Sequence, residues 1–588
     1  MKQIATLLSI SLCILVTPTT AGETHLVSQA PAKITEVAPD VFLVDFQRVA
    51  FGNLRLTAPD GASKTVTIHF GEALSSGRID RKPPGTVRYA QTKVTLAGNK
   101  PVVAAPPANS RNTEQTTDKH PPAVLTPSEW GVVLPFRWVE IEGWPGELRP
   151  EQIRRQAAFS SAWDDEAAAF QCSDKMLNQI WDLCRYSIKA TTFAGVYVDG
   201  DRERIPYEAD AYLNQLSHYA TDNDIQIARD TFDWLMKHPT WPTEWAPHMV
   251  FMAYADWMHT GDREWLAAHY DALKSKLLMD RVGPDGLVVS SPQHVKRDDI
   301  VDWPKGERDG YVFTSINTVV NAFHLRAVRL MTEMATAIDR SEDVAEFAAH
   351  EQKARKAFHA RLFDRKQGLY RDGEDTDHVS LHANLFPLAF DLVPEGHQKH
   401  VADWLAKRGM ACSVYAAQYL MEGLFEYGKS KEALDLITAP GDRSWRHMVQ
   451  SGTTISWEAW DLKYKPNQDW NHAWGAAPAN LLPRFVLGVQ PLTPGWQQAR
   501  IRPQVGSLSH AEGKVPTPHG PILVSWTNAP GFTLRLTLPK GVTAQVDLPA
   551  EKPAATVLVD GKPTPAQRKG DRLVLERPVS GTCVLEVQ

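Results

Sequence analysis

Lys175-Met176-Leu177-Asn178-Gln179-Ile180-Trp181-Asp182-Leu183-Cys184-Arg185-Tyr186-Ser187-Ile188 marks a change of period in the chain. Upstream, apolar residues alternate as they do in strands. Here Met176, Leu177, Ile180, Trp181, Cys184 and Ile188 recur at i, i+3, i+4, i+7 spacing, which is the stripe of an amphipathic helix. The helical period continues from about 170 to 488. Ile225 to Met236 is a second helix, and others start near His248, Arg263, Ser315, Glu342, Leu381, Gln398, Val414, Lys431 and His472. That makes about a dozen helices joined by loops rich in Gly, Pro and Asp, the pattern of antiparallel helical hairpins. They could close into an (α/α)6 barrel or stack as an open solenoid, and periodicity alone does not separate the two.

Both flanks read as β. Between 30 and 165, Val41 to Phe46 is a strand with mixed faces and Asn53 to Thr57 alternates. Pro59-Asp60-Gly61 turns, Thr65 to Phe70 alternates again, and Val87 to Leu96 and Phe136 to Glu142 add two more strands. Pro101 to Pro127, rich in Pro, Ala, Asn and Thr, reads as a mobile excursion from this sheet. From 489 to 588, short strands at Pro521 to Trp526, Phe532 to Leu538, Thr543 to Leu548, Thr556 to Val559 and Arg572 to Leu575 form a C-terminal sandwich. The expected plan is an N-terminal β-sandwich over 30–165, a helical domain over 170–488 and a C-terminal β-sandwich over 489–588.

Composition narrows the function classes. A chain of 588 residues exceeds one ordinary core. Its formal charge of −6, with no long basic run, argues against nucleic acid or an anionic membrane as the main partner. The 19 tryptophans suit stacking on pyranose rings and equally suit a core. At the start, Lys2, the apolar stretch Ile4 to Val16 and the small residues Thr19-Thr20-Ala21 read as an export signal over 1–21. Its apolar stretch is too short to span a bilayer, and no other span appears. Cys13 would leave with that segment. Cys172, Cys184, Cys412 and Cys583 show no zinc spacing and are expected to be free or partly buried. If Cys172 and Cys184 shared one helix, they would lie roughly 18 Å apart, beyond disulfide reach.

Two clusters could carry chemistry. The first is Asp199-Gly200-Asp201-Arg202-Glu203-Arg204-Ile205-Pro206-Tyr207-Glu208-Ala209-Asp210. Pro206 suits the first turn of a helix, so Asp199 to Arg204 would form the loop feeding it. Glu203 sits between two arginines that would lower its pKa, with carboxylates near that would raise it. The ordinary alternative is a solvated, salt-bridged loop. The second is Ser451-Gly452-Thr453-Thr454-Ile455-Ser456-Trp457-Glu458-Ala459-Trp460-Asp461. A carboxylate between two indoles could be desolvated beside a sugar, or could simply rim an aromatic core. His472, in Asn471-His472-Ala473-Trp474-Gly475, could donate to a hydroxyl. Asp302-Trp303 and Glu244-Trp245 could pair a hydroxyl acceptor with a stacking face. No phosphate-binding glycine loop, nucleophile elbow or zinc-protease helix is present. Paired carboxylates remain, and glycoside hydrolysis needs them: one acid protonates the leaving oxygen while the other activates water or attacks directly.

From about residue 40 to 530 the chain resembles glycoside hydrolase family 78, the bacterial α-L-rhamnosidases. Thr453-Thr454 with Trp457-Glu458 and Trp460-Asp461, then Asn471-His472 with Gly475, are similar to the family's ordered motifs. Phe136-Arg137-Trp138-Val139-Glu140 resembles a segment of its N-terminal sandwich, and Pro494-Gly495-Trp496 and Gly520-Pro521-Ile522 resemble its C-terminal one. The resemblance implies an (α/α)6 catalytic barrel between two antiparallel β-sandwiches, and an inverting mechanism. Carried over, Glu203 is the general acid and Glu458 the general base. Asp199, Asp210, Asp302, Trp303, Trp460 and His472 bind sugar hydroxyls or ring faces. No metal or organic cofactor is implied. The acid loop departs from the family's pattern: Arg202 replaces an Asp, Pro206-Tyr207 replaces Gly-Trp, Ala209 replaces a Gly, and two residues are missing between Asp199 and Glu203.

The expectation is therefore an exported, periplasmic or secreted enzyme acting on a rhamnose-containing oligosaccharide or polysaccharide. The chain is short for the family, with no extra carbohydrate-binding module. Two other classes stay open. One is another (α/α)6 sugar enzyme, such as a lyase using Tyr207 or His472. The other is a non-catalytic glycan-binding protein on this scaffold.

Overall fold

The structure, a computed structural model, describes residues 23–110, 112–114, 121–550 and 552–588. The expected export signal over 1–21 lies outside the described residues. Among the described residues no helix is long and apolar enough to cross a membrane.

The N-terminal domain is built on one bent strand. Val41–Thr57 runs for 17 residues, joining what alternation reads as two strands. The bend lies between Asp45 and Ala50, where the register to Leu134–Glu142 shifts. Gln47 adopts φ 67° there, and its N–H donates to the Asp45 carboxylate at 2.7 Å. Before the bend the strand pairs with Lys33–Ala38; after it, with Ile153–Ser160 and Pro101–Ala104. Residues from both halves, Phe42 and Val44 with Leu54 and Leu56, bury into one core. A single eight-stranded sheet thus folds over on itself. Thr24–Gln29, ahead of the expected start at 30, pairs along Ile153–Ser160. The start of the expected excursion is a strand, Pro101–Ala104, and later parts touch the acid loop. The Val124 N–H donates to Arg204 O at 2.8 Å, and the Asn112 side chain donates to Asp201 O.

The central helices are α1 Lys175–Ala190, α2 Glu208–Tyr219, α3 Gln226–Lys237, α4 His248–Thr260, α5 Arg263–Leu273, α6 Thr318–Ala337 and α7 Ser341–Leu362. They continue as α8 His382–Ala389, α9 Gln398–Arg408, α10 Val414–Glu426, α11 Ser430–Ile437, α12 Trp445–Gln450 and α13 Pro478–Leu481. The even-numbered helices α2 to α10 pack in sequence, α2 on α4, α4 on α6, α6 on α8 and α8 on α10. The short α13 touches α1, α2 and α10 and closes the ring. Sequence explains which helices lie inside. In α8 and α10 nearly every residue is apolar and buried, whereas α7 and α9 bury only a stripe. The result is the (α/α)6 barrel rather than an open stack. Caps set the starts: Asp174 accepts from Met176 N–H, Asn317 from Val320 N–H, and Ser413 from Tyr415 N–H. Hence α6 begins at Thr318 rather than Ser315. No α-helix starts at His472; a 3-10 turn, Ala473–Gly475, precedes α13. The helix α12 was not legible, being only six residues long.

The C-terminal domain pairs a seven-stranded with a six-stranded sheet. Its strands are antiparallel except that Gln498–Ile501 runs parallel to Thr543–Pro549. Ala169–Cys172, just ahead of α1, is an edge strand of this sheet beside His510–Val515. Cys172 is therefore in a strand and Cys184 in α1, so the shared helix considered from sequence is not formed. All four described cysteines are free and buried.

Candidate active site

One end of the barrel carries the loops before the inner helices. Asp199 to Tyr207 precede α2, Trp241 and Trp245 precede α4, Ile300 and Trp303 precede α6, and Glu458 to Trp474 precede α13. These loops enclose a cavity of about 200 Å³. Asp199, Glu203, Asp210, Glu458, His472 and Trp303 line it together, although they are up to 273 positions apart in sequence.

The Asp199 to Arg204 loop is anchored by charge. Asp201 turns away from the cavity and is clamped by Arg88 and by Arg204, the latter at 2.8 Å. Arg204, at φ 55°, lies over the Phe51 and Phe193 rings and donates to Val133 O. So Glu203 does not sit between two arginines in space. Arg204 belongs to the domain interface, and only Arg202 approaches Glu203, with Nε 3.7 Å from Oε1. The Tyr207 hydroxyl donates to the other Glu203 oxygen at 2.7 Å. Glu203 remains 41% exposed at the cavity mouth.

Glu458 is the opposite case. Its side chain is 2% exposed and every lobe is occupied. Arg202 forks onto both oxygens at 2.7 and 2.9 Å, Lys465 reaches Oε1 at 3.1 Å, and Asp469 N–H donates to Oε2 at 3.1 Å. Burial pushes this carboxyl up, but His472, Arg202 and Lys465 outweigh it and hold Glu458 below the usual range. Asp199 goes the other way. Burial first, then the neighbouring Glu203, raises its carboxyl well above the usual range against the pull of Arg202. Its Oδ2 is buried with no hydrogen-bond partner among the described residues. Asp210 is also raised by burial, offset in part by His472, whose Nε2 lies 2.6 Å from Oδ1.

Two expected sugar contacts are elsewhere. Asp302 is fully buried, accepting from His382 Nε2 at 2.7 Å and Ser413 N–H at 2.9 Å and from the Ser413 hydroxyl. Its lone pairs fix the base of the Trp303 loop and do not reach the cavity. Trp460 is fully buried too, edge-on to Trp445 and donating to Cys412 O at 2.7 Å. Only Trp303 of the Asp302-Trp303 pair lines the cavity. Glu244 accepts from Ile300 and Val301 N–H, which carries its partner Trp245 to the wall. Burial, then Asp299, pushes Glu244 up to about 7.

Three profiles of one family match the chain in order. The bacterial α-L-rhamnosidase concanavalin-like domain matches residues 35–159, the six-hairpin glycosidase domain 165–486 and the C-terminal domain 488–562. The chain belongs to the bacterial α-L-rhamnosidase family. An α-L-rhamnosidase of Alteromonas sp. strain LOR is 24% identical over 88% of this chain and 57% of its own length. One of Streptomyces avermitilis is 22% identical over 90% of this chain and 51% of its own. The chain thus spans about half the length of the curated relatives it matches. The Streptomyces avermitilis α-L-rhamnosidase crystallised with L-rhamnose superposes with TM-score 0.78 at 20% identity, over 97% of this chain and 54% of that one. The Dictyoglomus thermophilum α-L-rhamnosidase does so with TM-score 0.79 at 18% identity, over 97% and 64%. These likenesses carry the fold.

Arg202, where the sequence departs from the pattern its resemblance implies, is the residue that forks onto Glu458. Sequence reasoning missed Asp469, Lys465 and Trp241. Asp469 is buried, accepts from Thr86 and from Arg202 N–H, and is pushed up to about 6 by burial. An Asp beside Trp470 in a segment already holding Trp457, Trp460 and Trp474 was the available signal. Two triads have metal-ligand spacing, His69–Glu140–Glu142 and Glu458–Asp469–His472. Arginines hold carboxylates of both, Arg78 and Arg81 on Glu140 and Arg202 on Glu458, so those ligand atoms are committed to ion pairs.

Proposed function

We propose that the protein is an exported, inverting glycoside hydrolase that releases terminal α-L-rhamnose from plant or algal glycans or their oligosaccharides. The observation that carries this reading is the cavity itself: two separate loops bring Glu203 and Glu458 into one sugar-sized space walled by Trp245, Trp303 and Trp474. Arg202 lies between the two carboxylates, 2.7 Å from Glu458 Oε2 and 3.7 Å from Glu203 Oε1. Glu203, half in solvent at the mouth, protonates the leaving oxygen as the aglycone departs. Glu458, held ionised, takes the proton of the attacking water. Asp199, which lines the cavity and whose Oδ2 accepts no hydrogen bond among the described residues, and Asp210, braced by His472, bind ring hydroxyls.

Arg202 must yield one Glu458 oxygen for that step. It has acceptors to move onto, since Asp199 Oδ2 is 4.0 Å and Glu203 Oε1 3.7 Å away. The same fork is the one observation that favours a glycan-binding protein without turnover. The lyase reading is weakened: Tyr207 donates its proton to Glu203, and burial raises its phenol, making it a poor base.

The test is turnover of 4-nitrophenyl α-L-rhamnopyranoside. Wild type should release rhamnose, and Glu203→Gln and Glu458→Gln should each lose about 10²- to 10⁴-fold in kcat. Turnover indifferent to both changes removes the site assignment. Rhamnan binding with no turnover on any rhamnoside selects the binding protein. NMR of the first-formed sugar should show the inverted anomer, and protein recovered from culture medium should begin after Ala21.

A further inference from the structure

A second cavity opens at the other end of the barrel. It lies between α2 from Tyr212 onward, α4 from Phe251 onward, the middle of α6, and the C-terminal domain at Val489 to Trp496. Both cavities touch α2: Asp210 lines the candidate active site, Tyr212 two residues on lines the second cavity, and the second cavity continues to Ala220, about 15 Å of helix beyond Asp210. Its volume is about 290 Å³, the size of one ring with substituents.

The lining is chemically one-sided. Tyr212, Tyr219, Phe251, Tyr254 and Trp496 form aromatic walls, and two arginines, Arg326 and Arg484, supply charge. Among the described lining residues there is no Asp or Glu. His259 adds no charge at neutral pH, because burial lowers it to about 4. The arginines differ. Arg484 is satisfied from behind by Glu422 at 2.5 Å and Asn480 at 2.9 Å. Arg326, half-buried on α6, has no hydrogen bond or ion pair among the described residues. The Tyr212 hydroxyl, packed edge-on against Phe251, is also without a hydrogen-bond partner among them. The Tyr254 hydroxyl is turned to Glu333 at 2.7 Å, so it does not satisfy the arginine.

An unpaired guanidinium in an aromatic cleft whose nearest acids, Glu422 and Glu333, are already engaged by Arg484 and Tyr254 suits an anion attached to a flat body. Arginine matches a carboxylate with two parallel N–H donors, and the rings take the rest of the molecule. We propose that this cavity binds a ring carboxylate, with the carboxylate on Arg326 and the Tyr212 hydroxyl and the ring between Phe251, Tyr254 and Trp496. The two sources of that chemistry are an aromatic acid and a sugar acid. The cavity faces the C-terminal domain, so occupancy would also brace the barrel against it.

Isothermal titration of the full chain with 4-hydroxybenzoate and, separately, D-glucuronate tests this. Saturable binding of either supports the site, and the tighter of the two identifies the source. Arg326→Ala should weaken it about tenfold or more, and Tyr212→Phe by less, both at unchanged thermal midpoint. The neutral analogue 4-hydroxybenzamide should not bind. Glu458→Gln should bind as wild type does, so the result stands or falls apart from the proposed hydrolase activity. No saturation by either acid up to about 10 mM, a weak-affinity ceiling, overturns the proposal. So does binding that survives Arg326→Ala, or binding of the amide as tight as the acid.

Discussion

At the loop end of the barrel, Glu458 meets Arg202, Lys465 and the Asp469 amide before any ligand arrives; at the sandwich end, Arg326 and Tyr212 line a cleft whose described lining holds no carboxylate. Both cavities are aromatic-walled and of similar size. They differ in where the countercharge comes from. The loop end satisfies its charges internally, so its acids can be tuned apart: Glu458 is held down by its cations while Asp199 is pushed up by burial. That spread leaves Glu458 ionised to take a proton while Asp199 can keep its own beside it. The sandwich end leaves a cation waiting, which tunes nothing but selects a partner.

The largest effect that would break this contrast comes from Glu458→Gln. Turnover of the aryl rhamnoside should fall about 10²- to 10⁴-fold, while 4-hydroxybenzoate affinity at the sandwich end stays put. A shared loss would mean that the two ends form one coupled site.

Next comes Asp302→Ala. If Asp302 contacted sugar, KM would rise and the fold would hold. Buried against His382 and Ser413, it should instead cost about 3–4 kcal/mol of stability by leaving those donors unpaired. Chemical denaturation reads the loss. A normal midpoint with raised KM would return Asp302 to the sugar site.

The contrast between Asp302 and Glu458 also shows how far sequence reaches. The order of β, helical and β segments was legible because period 2 and period 3.6 survive without tertiary information. The barrel closure was not, because it depends on which faces of α2 to α10 meet. Glu458 and Trp460 sit two residues apart in one motif, yet one lines the cavity and the other is core. Nothing local distinguishes them; the turn toward Asp469 does. Likewise Arg202 and Arg204 flank Glu203 identically in sequence, and only the φ of 55° at Arg204 sends one to the cavity and the other to Asp201. The lower cavity was invisible, since Tyr212, Tyr254 and Arg326 are ordinary members of three helical stripes.

Buried titratable groups at the two ends should pull stability in opposite directions with pH. Glu72 accepts from Arg88 N–H and Asn471, which in turn braces Asp201 N–H, and burial raises it to about 8. Its folded pKa exceeds the unfolded one, so its contribution is complete below about 4.5 and is lost as pH rises through 8. Glu72→Gln should flatten that alkaline fall by on the order of 2 kcal/mol. His259, lowered to about 4, loses stability instead as pH drops below 6.5 toward 4, and His259→Gln should flatten the acid side. Thermal midpoints measured from pH 4 to 9 separate the two. Identical slopes in both variants would contradict the assignment.

The smallest effect bears most directly on the Asp199 to Arg204 loop. Arg202→Met keeps the length of the side chain and removes the fork. Glu458 then loses a charge partner that holds its carboxyl down, so its pKa rises. Because the base must be ionised to work, the acid limb of kcat/KM against pH should move to higher pH, with about a tenfold loss at neutral pH from poorer positioning. Arg326→Ala, by the contrast between the two ends, should leave that profile where it was. If Arg202→Met leaves the acid limb unmoved, Glu458 is not the group that titrates in catalysis. A gain in turnover would instead mean that Arg202 restrains the Glu458 carboxylate.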